Sequence, residues 1–436
     1  MRRHFLSHQQ MTTKNGIAAF SDYYPSLEAI KKAKETISGV VETTPLMRNH
    51  NLSKQYCSNV FLKREDLQSV RSYKIRGAYN KIKSLTKQEV ASGIVCASAG
   101  NHAQGVAYSC RELGINGFIY MPATTPKQKV NQVKMFGQGF VEVVLKGDTY
   151  DDAYNAAMEE CARTGRTFIH PFDDPQIIEG QATVGLELLE QVEKPIDYIF
   201  VPIGGGGLVS GLGAYIKQIT PETKIIGVEP AGAPAMQKAM EQGEVVELDE
   251  IDKFVDGAAV QRVGNVTLPI CQRVLDDIIL VPEGKICTKI LELYNYEAIV
   301  VEPAGALSIA ALDFYAEQII GKNVVCILSG SNNDITRTEE IKERSLLYEG
   351  LKHYFIVRFP QRAGALKTFV DKVLGPGDDI THFEYKKKTA RAMGPVVIGI
   401  EIQKPEDFDG LQQRMEENGF IAEYLNEKPD LFQYLI

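Results

Sequence analysis

The stretch D-Y-I-F-V-P-I-G-G-G-G-L-V-S-G-L-G-A-Y-I-K-Q-I, residues 197–219, decides the fold of this chain. Tyr198–Ile203 is short and apolar, which is typical of a buried strand, and Leu208–Ile219 has the apolar pattern of a helix. Between them, Gly204–Gly207 have no Cβ atoms, so several backbone N–H groups can converge on one anion at the positive end of the helix. The stretch therefore predicts a phosphate-binding loop between a strand and a helix.

Two other interpretations of this stretch are weaker. A flexible linker is rich in glycine, but it is rarely flanked directly by an apolar strand and an apolar helix. A membrane span would fit the lack of charge between Asp197 and Lys217. The glycines, Pro202 and Ser210 make that segment a poor continuous helix, so we discount a span.

Strands and helices alternate from Pro25 to about Leu328. Short apolar runs recur as N-V-F-L-K, G-I-V-C-A-S, N-G-F-I-Y-M-P, F-V-E-V-V-L, D-Y-I-F-V-P-I, K-I-I-G-V-E-P and N-V-V-C-I-L-S. Helical patterns separate them, which predicts an α/β fold with parallel sheets covered by helices. The polar loops S-A-G-N-H, G-G-G-G and S-G-S-N-N each follow a strand, so we expect them to share one crevice at the carboxyl ends of the strands.

The pattern changes after Arg344. Leu351–Phe359 alternates like a strand, and Pro360 is predicted to open a helix that continues through A-G-A-L-K-T-F-V-D-K-V-L. Two further strands, I-T-H-F-E-Y-K and V-V-I-G-I-E-I, precede a helix that ends at Gly419 and a last strand, F-I-A-E-Y-L. This β-α-β-β-α-β order predicts a ferredoxin-like second domain, and the charged segment 334–347 is its predicted boundary.

Composition excludes several classes of protein. The 436 residues suffice for two or three cores, and a net charge of −8 gives no reason to expect nucleic acid as a partner. Seven cysteines without a C-x-x-C pair argue against a disulfide framework or a thiolate zinc site, and favour a reducing compartment, by default the cytoplasm. The basic start of the chain faintly resembles a transit peptide, but we expect a disordered tail over residues 1–21.

Five motifs, each weak alone, occur in one order along the chain. They are S-Y-K-I-R-G-A around Lys74, S-A-G-N-H-A-Q-G at Ser98–Gly105, the four glycines, E-P-A-G-A at Glu302–Ala306, and Ser329 with Gly330 and Asn332. Together they resemble the fold type II (tryptophan synthase β-like) pyridoxal phosphate enzymes, whose catalytic region has two open twisted sheets. Over about residues 25–340, their order and spacing are similar to those of the threonine dehydratases, or threonine ammonia-lyases.

The resemblance implies a catalytic domain over 22–340, with about 66–170 forming a smaller subdomain, and a role for each site residue. Lys74 would bind pyridoxal 5'-phosphate as a Schiff base and, once freed, remove the substrate α-proton. Asn101 would contact the ring hydroxyl, and Ser329 the pyridine nitrogen. The cofactor phosphate would lie on the backbone of Gly204, Gly205, Gly206, Gly207 and Leu208. The substrate carboxylate would be held by Ser98, Ala99, Gly100, Asn101 and His102.

The implied reaction eliminates the β-hydroxyl of L-threonine and yields 2-oxobutanoate and ammonia, the first step of isoleucine biosynthesis, with L-serine as a side substrate. A serine hydroxyl such as that of Ser329 cannot protonate the pyridine ring as an aspartate would, which favours elimination over transamination. The cofactor phosphate is the expected proton donor to the leaving hydroxyl.

Two positions depart from relatives within the resemblance. Serine racemases have a second serine at the position of Ala99, so this chain lacks an acid or base on the second face of the substrate, which favours a lyase over a racemase. The divalent metal site of some relatives looks incomplete, because the aspartate expected after Glu229 falls on or near Ala235. We therefore predict no metal ligands.

Four other titratable residues near the motifs have simpler interpretations. His102 and His170 resemble catalytic acids or metal ligands, but we assign them no role in proton transfer, because such histidines often cap or pack. Asp173 and Asp174 look like a metal pair, yet a turn before Pro175 explains them equally well.

Residues 345–436 resemble a single copy of the ACT-like regulatory domain of the biosynthetic threonine dehydratases, through F-P-Q-R-A-G-A-L and D-I-T-H-F-E-Y. Such units bind a small amino acid between paired copies, so we expect L-isoleucine as effector and pairing across subunits of a homotetramer. A domain that only assembles the oligomer is the alternative. For the catalytic region the alternatives are a serine dehydratase, a racemase, or an inactive amino-acid-binding protein, against which the intact Lys74 counts. We expect no membrane partner.

Overall fold

The computed structural model of the chain describes residues 23–385, 392–428 and 431–432. They form two compact units. The first comprises the described residues up to Glu283 together with Glu292–Asp334, and the second comprises Gly284–Leu291 with the described part of Ile335–Ile436. The tail predicted over residues 1–21 lies outside the described part of the chain.

Strands and helices of these residues are numbered in chain order. The strands are β1 (Leu46–Arg48), β2 (Asn59–Arg64), β3 (Ile94–Ala97), β4 (Gly117–Met121), β5 (Val141–Leu145), β6 (Thr167–Phe168), β7 (Tyr198–Pro202), β8 (Lys224–Pro230), β9 (Asp277–Val281), β10 (Asn323–Leu328), β11 (Lys352–Pro360), β12 (Asp379–Tyr385), β13 (Met393–Glu401) and β14 (Ile421–Tyr424). The α-helices are α1 (Leu27–Ile37), α2 (His50–Gln55), α3 (Lys74–Ser84), α4 (Lys87–Val90), α5 (Asn101–Leu113), α6 (Lys127–Gly137), α7 (Tyr150–Thr164), α8 (Pro175–Gln191), α9 (Gly207–Ile219), α10 (Ala235–Gln242), α11 (Thr267–Val274), α12 (Glu283–Glu297), α13 (Pro303–Ala310), α14 (Thr338–Tyr348), α15 (Ala365–Lys372) and α16 (Asp407–Glu417).

Two sheets build the first unit. The larger sheet has the order β1-β2-β10-β7-β8-β9, in which β1 runs antiparallel to β2 and the other pairs are parallel. The smaller sheet has the order β5-β4-β3-β6, and all of its pairs are parallel. Parallel neighbours end at the same edge of a sheet, so the loops after β7 and β10 lie side by side. The predicted α/β fold with two open sheets is confirmed.

The stretch that predicts the fold forms β7, a glycine loop and α9, as expected. Ile199, Phe200 and Val201 are fully buried, because a parallel strand is covered on both faces. The other six apolar runs also form strands. No helix in the described ranges is long and apolar enough to cross a membrane.

The second unit has an antiparallel sheet in the order β12-β13-β11-β14, with α15 and α16 in the predicted β-α-β-β-α-β sequence of elements. The prediction of a ferredoxin-like domain is confirmed, but the prediction that Pro360 opens a helix is wrong. Pro360 ends β11, where it pairs with Met393, and α15 begins only after Gly364, whose φ is +83°. β14 extends only to a position opposite Arg358, so proline breaks no hydrogen bond on that side.

Candidate active site

Lys74 is the first residue of α3, and the segment before it is fixed to the end of β10. The Tyr73 N–H donates to Ser329 O at 3.2 Å, and Ser72 forms an antiparallel bridge with Gly330. Lys74 and Ser329 are far apart in the sequence, yet these backbone contacts bring the two predicted catalytic residues into one site.

The Lys74 side chain is partly buried. Its Nζ donates to Pro171 O at 3.0 Å and lies 5.4 Å from the centre of the Tyr73 ring. Burial lowers the pKa of Lys74 to about 8, although the nearby Glu302 carboxylate acts in the opposite direction. A lysine with this pKa has a substantial neutral fraction near neutral pH, as a nucleophile or a general base requires.

The glycine loop, residues Gly204–Leu208, presents N–H groups that have no acceptor in the described part of the protein. Its residues are buried except for Gly204, which is partly buried, and the loop ends in the first turn of α9. Gly206 has a φ of +92°, a conformation that glycine adopts without strain. Buried donors at a helix N-terminus fit a phosphate group.

Phe172 and Thr267 enclose this loop. A Cβ atom at Gly205 would lie 2.4 Å from the Phe172 ring, and one at Gly207 would lie 2.9 Å from Phe172 Cβ. The Thr267 hydroxyl donates to Gly205 O at 2.6 Å. The absence of side chains at Gly205 and Gly207 therefore also serves close packing, which the sequence motif alone did not show.

Asn101, the first residue of α5, joins the loops after β3 and β10. Its Nδ2 donates to Glu302 Oε1 at 2.6 Å, and Asn332 Nδ2 donates to Asn101 Oδ1 at 2.7 Å. Burial raises the pKa of Glu302 to about 7, with a further contribution from Asp256. Glu302 belongs to the motif E-P-A-G-A, but nothing in its local sequence predicted this contact with Asn101.

The segment Ser98–His102 is only partly free to hold a carboxylate. The Ser98 N–H donates to Tyr120 O at 3.1 Å, and the Gly100 N–H faces Ser98 Oγ at 3.3 Å. In the described chain, the N–H groups of Ala99, Asn101 and His102 have no acceptor. These three donors, rather than all five of the predicted segment, form the available anion site.

The two histidines have structural contacts. Burial lowers the pKa of His102 to about 3, with Lys74 adding to the effect, and His102 Nε2 lies 2.9 Å from Ile169 O. His170 Nδ1 accepts from the Asp173 N–H at 2.8 Å, and burial lowers its pKa too. Each imidazole is thus engaged by the backbone at one ring nitrogen, and His102, with a pKa of about 3, is neutral near pH 7.

Each carboxylate of the pair Asp173 and Asp174 receives the N–H groups of a helix start. Asp174 accepts from Gln176 and Ile177 at the start of α8 and pairs with Lys81 at 2.8 Å. Across the described ranges, no group of three or more His, Cys, Asp or Glu side chains has a metal-binding arrangement. These contacts favour a structural role for the two aspartates, at helix starts, over metal binding.

Glu229, at the incomplete metal position, is also engaged by a helix. Its carboxylate accepts from the Met236 N–H at 2.7 Å and from the Gln237 N–H at 2.8 Å, in the first turn of α10. Burial raises the pKa of Glu229 to about 7. The Glu229 carboxylate, which corresponds to the metal position of some relatives, thus accepts hydrogen bonds from two backbone N–H groups.

Comparison with known proteins agrees with this geometry. Residues 37–330 match the family described as pyridoxal-phosphate dependent enzyme, and residues 343–435 match the C-terminal regulatory domain of threonine dehydratase. The chain belongs to the threonine dehydratase family. It is 59% identical to the biosynthetic L-threonine dehydratase of Halalkalibacterium halodurans over 94% of this chain and 99% of that protein, and 57% identical to that of Bacillus subtilis over 93% and 96%.

A solved structure, the processed form of threonine deaminase isoform 2 from Solanum lycopersicum, superposes with a TM-score of 0.69 at 39% identity. The match covers 74% of this chain and 95% of that one. The chain is accordingly a pyridoxal phosphate-dependent threonine ammonia-lyase of this family, with a regulatory domain. The unpartnered N–H groups of the glycine loop and the lowered pKa of Lys74 fit such a cofactor.

Proposed function

We propose that this enzyme converts L-threonine to 2-oxobutanoate and ammonia at the site formed by Lys74, the glycine loop and Ser329. The observation that supports this most is a partly buried lysine, with its pKa lowered to about 8, held against a segment that also packs against Gly205 and Gly207 of the glycine loop. Bound pyridoxal phosphate supplies an electron sink that stabilises negative charge at the substrate Cα.

The residues of the site have separate proposed roles in the reaction. Lys74 would hold the cofactor covalently, and its Nζ, once free, would accept the α-proton of the substrate. The N–H groups of Ala99, Asn101 and His102 hold the substrate carboxylate. Ser329, which is 3% exposed, has a hydroxyl that donates to Ala304 O at 3.2 Å; turned towards the pyridine nitrogen, it would hydrogen-bond without protonating it. The β-hydroxyl would take up a proton, expected from the cofactor phosphate, and leave as water. The resulting enamine would tautomerise to an imine, which water hydrolyses to ammonia and the 2-oxo acid.

Racemisation is the alternative reaction, and Ala99 argues against it. A racemase needs an acid or base on the second face of the substrate, and the methyl group of Ala99 can supply neither. We propose L-serine as a side substrate, because it differs from threonine by only one methyl group.

Incubation with each amino acid tests this activity. We expect 2-oxobutanoate from L-threonine and pyruvate from L-serine, with kcat/KM values that differ by no more than about 200-fold, since one methyl group is worth about 1–3 kcal/mol. The 2-oxo acids are measured by their hydrazones, and D-serine by chiral chromatography. D-serine forming as fast as pyruvate would instead support a racemase.

The pKa of Lys74 predicts how fast the apoprotein captures added cofactor. Only the neutral amine reacts, so the capture rate should rise with pH and reach half of its maximum near pH 8. A lysine with an ordinary pKa would be only about 0.3% neutral at pH 8. Absorbance changes after mixing at pH 6.5–10 measure the rate. A midpoint above pH 10 would contradict the role of Lys74.

We further propose that L-isoleucine binds the second unit and inhibits the enzyme. A groove of about 310 Å³ there has apolar walls that include Phe359, Leu366 and Phe383, and its basic residues are Arg362 and Lys367. An aliphatic side chain fits the apolar walls, and a carboxylate fits the basic residues and the nearby start of α15.

Calorimetric titration of isoleucine tests this site. Phe383→Ala should weaken isoleucine binding about tenfold, which corresponds to about 1.4 kcal/mol of lost apolar contact between the ring and the ligand side chain. Phe314→Ala is the matched control, since Phe314 lies in the first unit and is 44% exposed against 37% for Phe383. If isoleucine gives neither heat nor a shift in melting temperature with the unsubstituted enzyme, the second unit serves assembly only.

Assembly and location complete the proposal. A single regulatory unit that works in pairs supports pairing between subunits. The resemblance to the biosynthetic threonine dehydratases supports a homotetramer. All seven cysteines are free, which fits a reducing cytoplasm.

A further inference from the structure

The segment His170–Asp174, here called the clasp loop, touches both ends of the proposed cofactor site. Its Pro171 carbonyl accepts from Lys74 Nζ at 3.0 Å. Its next residue, Phe172, packs against Gly205 and Gly207 so closely that neither could carry a Cβ atom without a clash. One short loop therefore contacts the lysine and the glycine loop at the same time.

Asp173 ties the clasp loop to the start of α11. Its carboxylate accepts from the N–H groups of Asn265 at 2.9 Å, Val266 at 2.8 Å and Thr267 at 3.3 Å. A Cβ atom at Gly264 would lie 2.1 Å from Asp173 Oδ1, so the backbone approaches the carboxylate closely. Three charge-assisted hydrogen bonds fix the position of this helix start relative to the clasp loop.

Thr267, at the start of α11, connects this helix to the glycine loop. It is fully buried, and its hydroxyl donates to Gly205 O at 2.6 Å. A Cβ atom at Gly206 would lie 2.9 Å from Thr267 Oγ1, which shows how little the two segments can shift. The contacts run without a break from Asp173 through Thr267 to Gly205.

We propose that Asp173 is a positioning residue that, through Thr267, holds the glycine loop in the shape that binds the cofactor phosphate. This inference rests on the proposed role of the glycine loop as the phosphate site. Among the hydrogen bonds of the described residues, the Asp173 carboxylate makes none with Lys74 or with the N–H groups of the glycine loop. Its proposed effect on the cofactor therefore passes through the backbone carbonyl of Gly205.

The neighbouring Asp174 has a different function although its chemistry is the same. Its carboxylate binds the first turn of α8 and Lys81, none of which contacts the glycine loop in the hydrogen bonds of the described chain. The pair therefore provides a matched comparison, in which one aspartate should affect the phosphate site and the other should affect only local stability.

The test compares pyridoxal 5'-phosphate with pyridoxal, which lacks the phosphate, by titrating the apoprotein of each variant. The Kd for pyridoxal divided by the Kd for pyridoxal 5'-phosphate measures how much the phosphate site contributes to binding. Asp173→Asn should lower that ratio about tenfold, as expected when hydrogen bonds to a charged group are weakened. Asp174→Asn should leave the ratio within twofold, whatever either change does to the melting temperature.

Thr267→Val tests the path, because it removes the donor to Gly205 O. The double variant Asp173→Asn with Thr267→Val should have nearly the same ratio as the more affected single variant, since both act on one chain of contacts. Independent, additive losses would overturn a path through Thr267. A normal ratio in Asp173→Asn would overturn the positioning role. If the unsubstituted protein does not prefer the phosphorylated cofactor at all, the proposed phosphate site itself fails.

Discussion

Replacing Lys74 with alanine is expected to lower kcat for 2-oxobutanoate formation at least about 10³-fold, because one change removes both the covalent cofactor link and the general base. The variant should remain folded, since it loses a partly buried amine whose pKa is already lowered by burial. Oxo acid formation at saturating threonine and cofactor measures the loss.

Lys83→Ala is the matched control for this loss. Lys83 lies on the same helix α3 but is exposed to solvent, so its removal should change kcat less than twofold. Retention of more than a tenth of the activity by Lys74→Ala would assign the base to another residue. The visible absorption band of the covalently bound cofactor should disappear in the same variant while its melting temperature stays close to that of the unsubstituted protein, which separates loss of the covalent link from misfolding.

Seven of the ten strands of the first unit were predicted from the sequence, because each of them is a short apolar run next to a polar loop; β9 is a similar run that was not among them. β1 and β6 contain only three and two residues, so no periodicity was available for them. Pro360 shows a different limit. Its fixed φ suits the first turn of a helix and also the open end of a strand, and only the position of β14 decides between them.

The site was predictable where a motif encodes backbone geometry, as in the glycine loop. It was not predictable where a residue acts through contacts between distant segments. Glu302 reaches Asn101, and Asp173 reaches the start of α11, across 201 and 92 or more positions of sequence. Both carboxylates are ordinary in their local sequence, so nothing there pointed to these contacts.

A second large effect is expected at Arg76, two residues after Lys74. Its guanidinium is fully buried and forms paired hydrogen bonds, all of 2.8 Å, to the carboxylates of Glu65 and Glu187. Lys63 Nζ, also fully buried, donates to Glu187 at 2.8 Å and to Thr44 O at 2.7 Å. Because Arg76 is in the first turn of α3, this network also fixes the helix that begins with Lys74.

Arg76→Met should therefore lower the free energy of unfolding by about 3–5 kcal/mol, because it leaves two buried carboxylates without their main partner. Lys367→Met, which removes an exposed pair with Asp371, should cost less than about 1 kcal/mol. Urea unfolding followed by tyrosine fluorescence measures both, since the chain has no tryptophan. Equal costs for the two changes would mean that the buried network contributes no more than a surface pair.

The pH dependence of this cost gives an independent check. Burial alone would raise the pKa of Glu187, but its hydrogen bonds to Arg76 and the charges of Arg76 and Lys63 lower it to about 2. A carboxyl whose pKa is lower in the folded state stabilises the protein above its unfolded pKa of about 4.3, and this stabilisation is lost as the pH falls towards 2. The difference in unfolding free energy between the unsubstituted protein and Arg76→Met should therefore be largest near pH 7 and smaller at pH 4. A difference that stayed constant over this range would show that Arg76 stabilises the fold by packing rather than by charge.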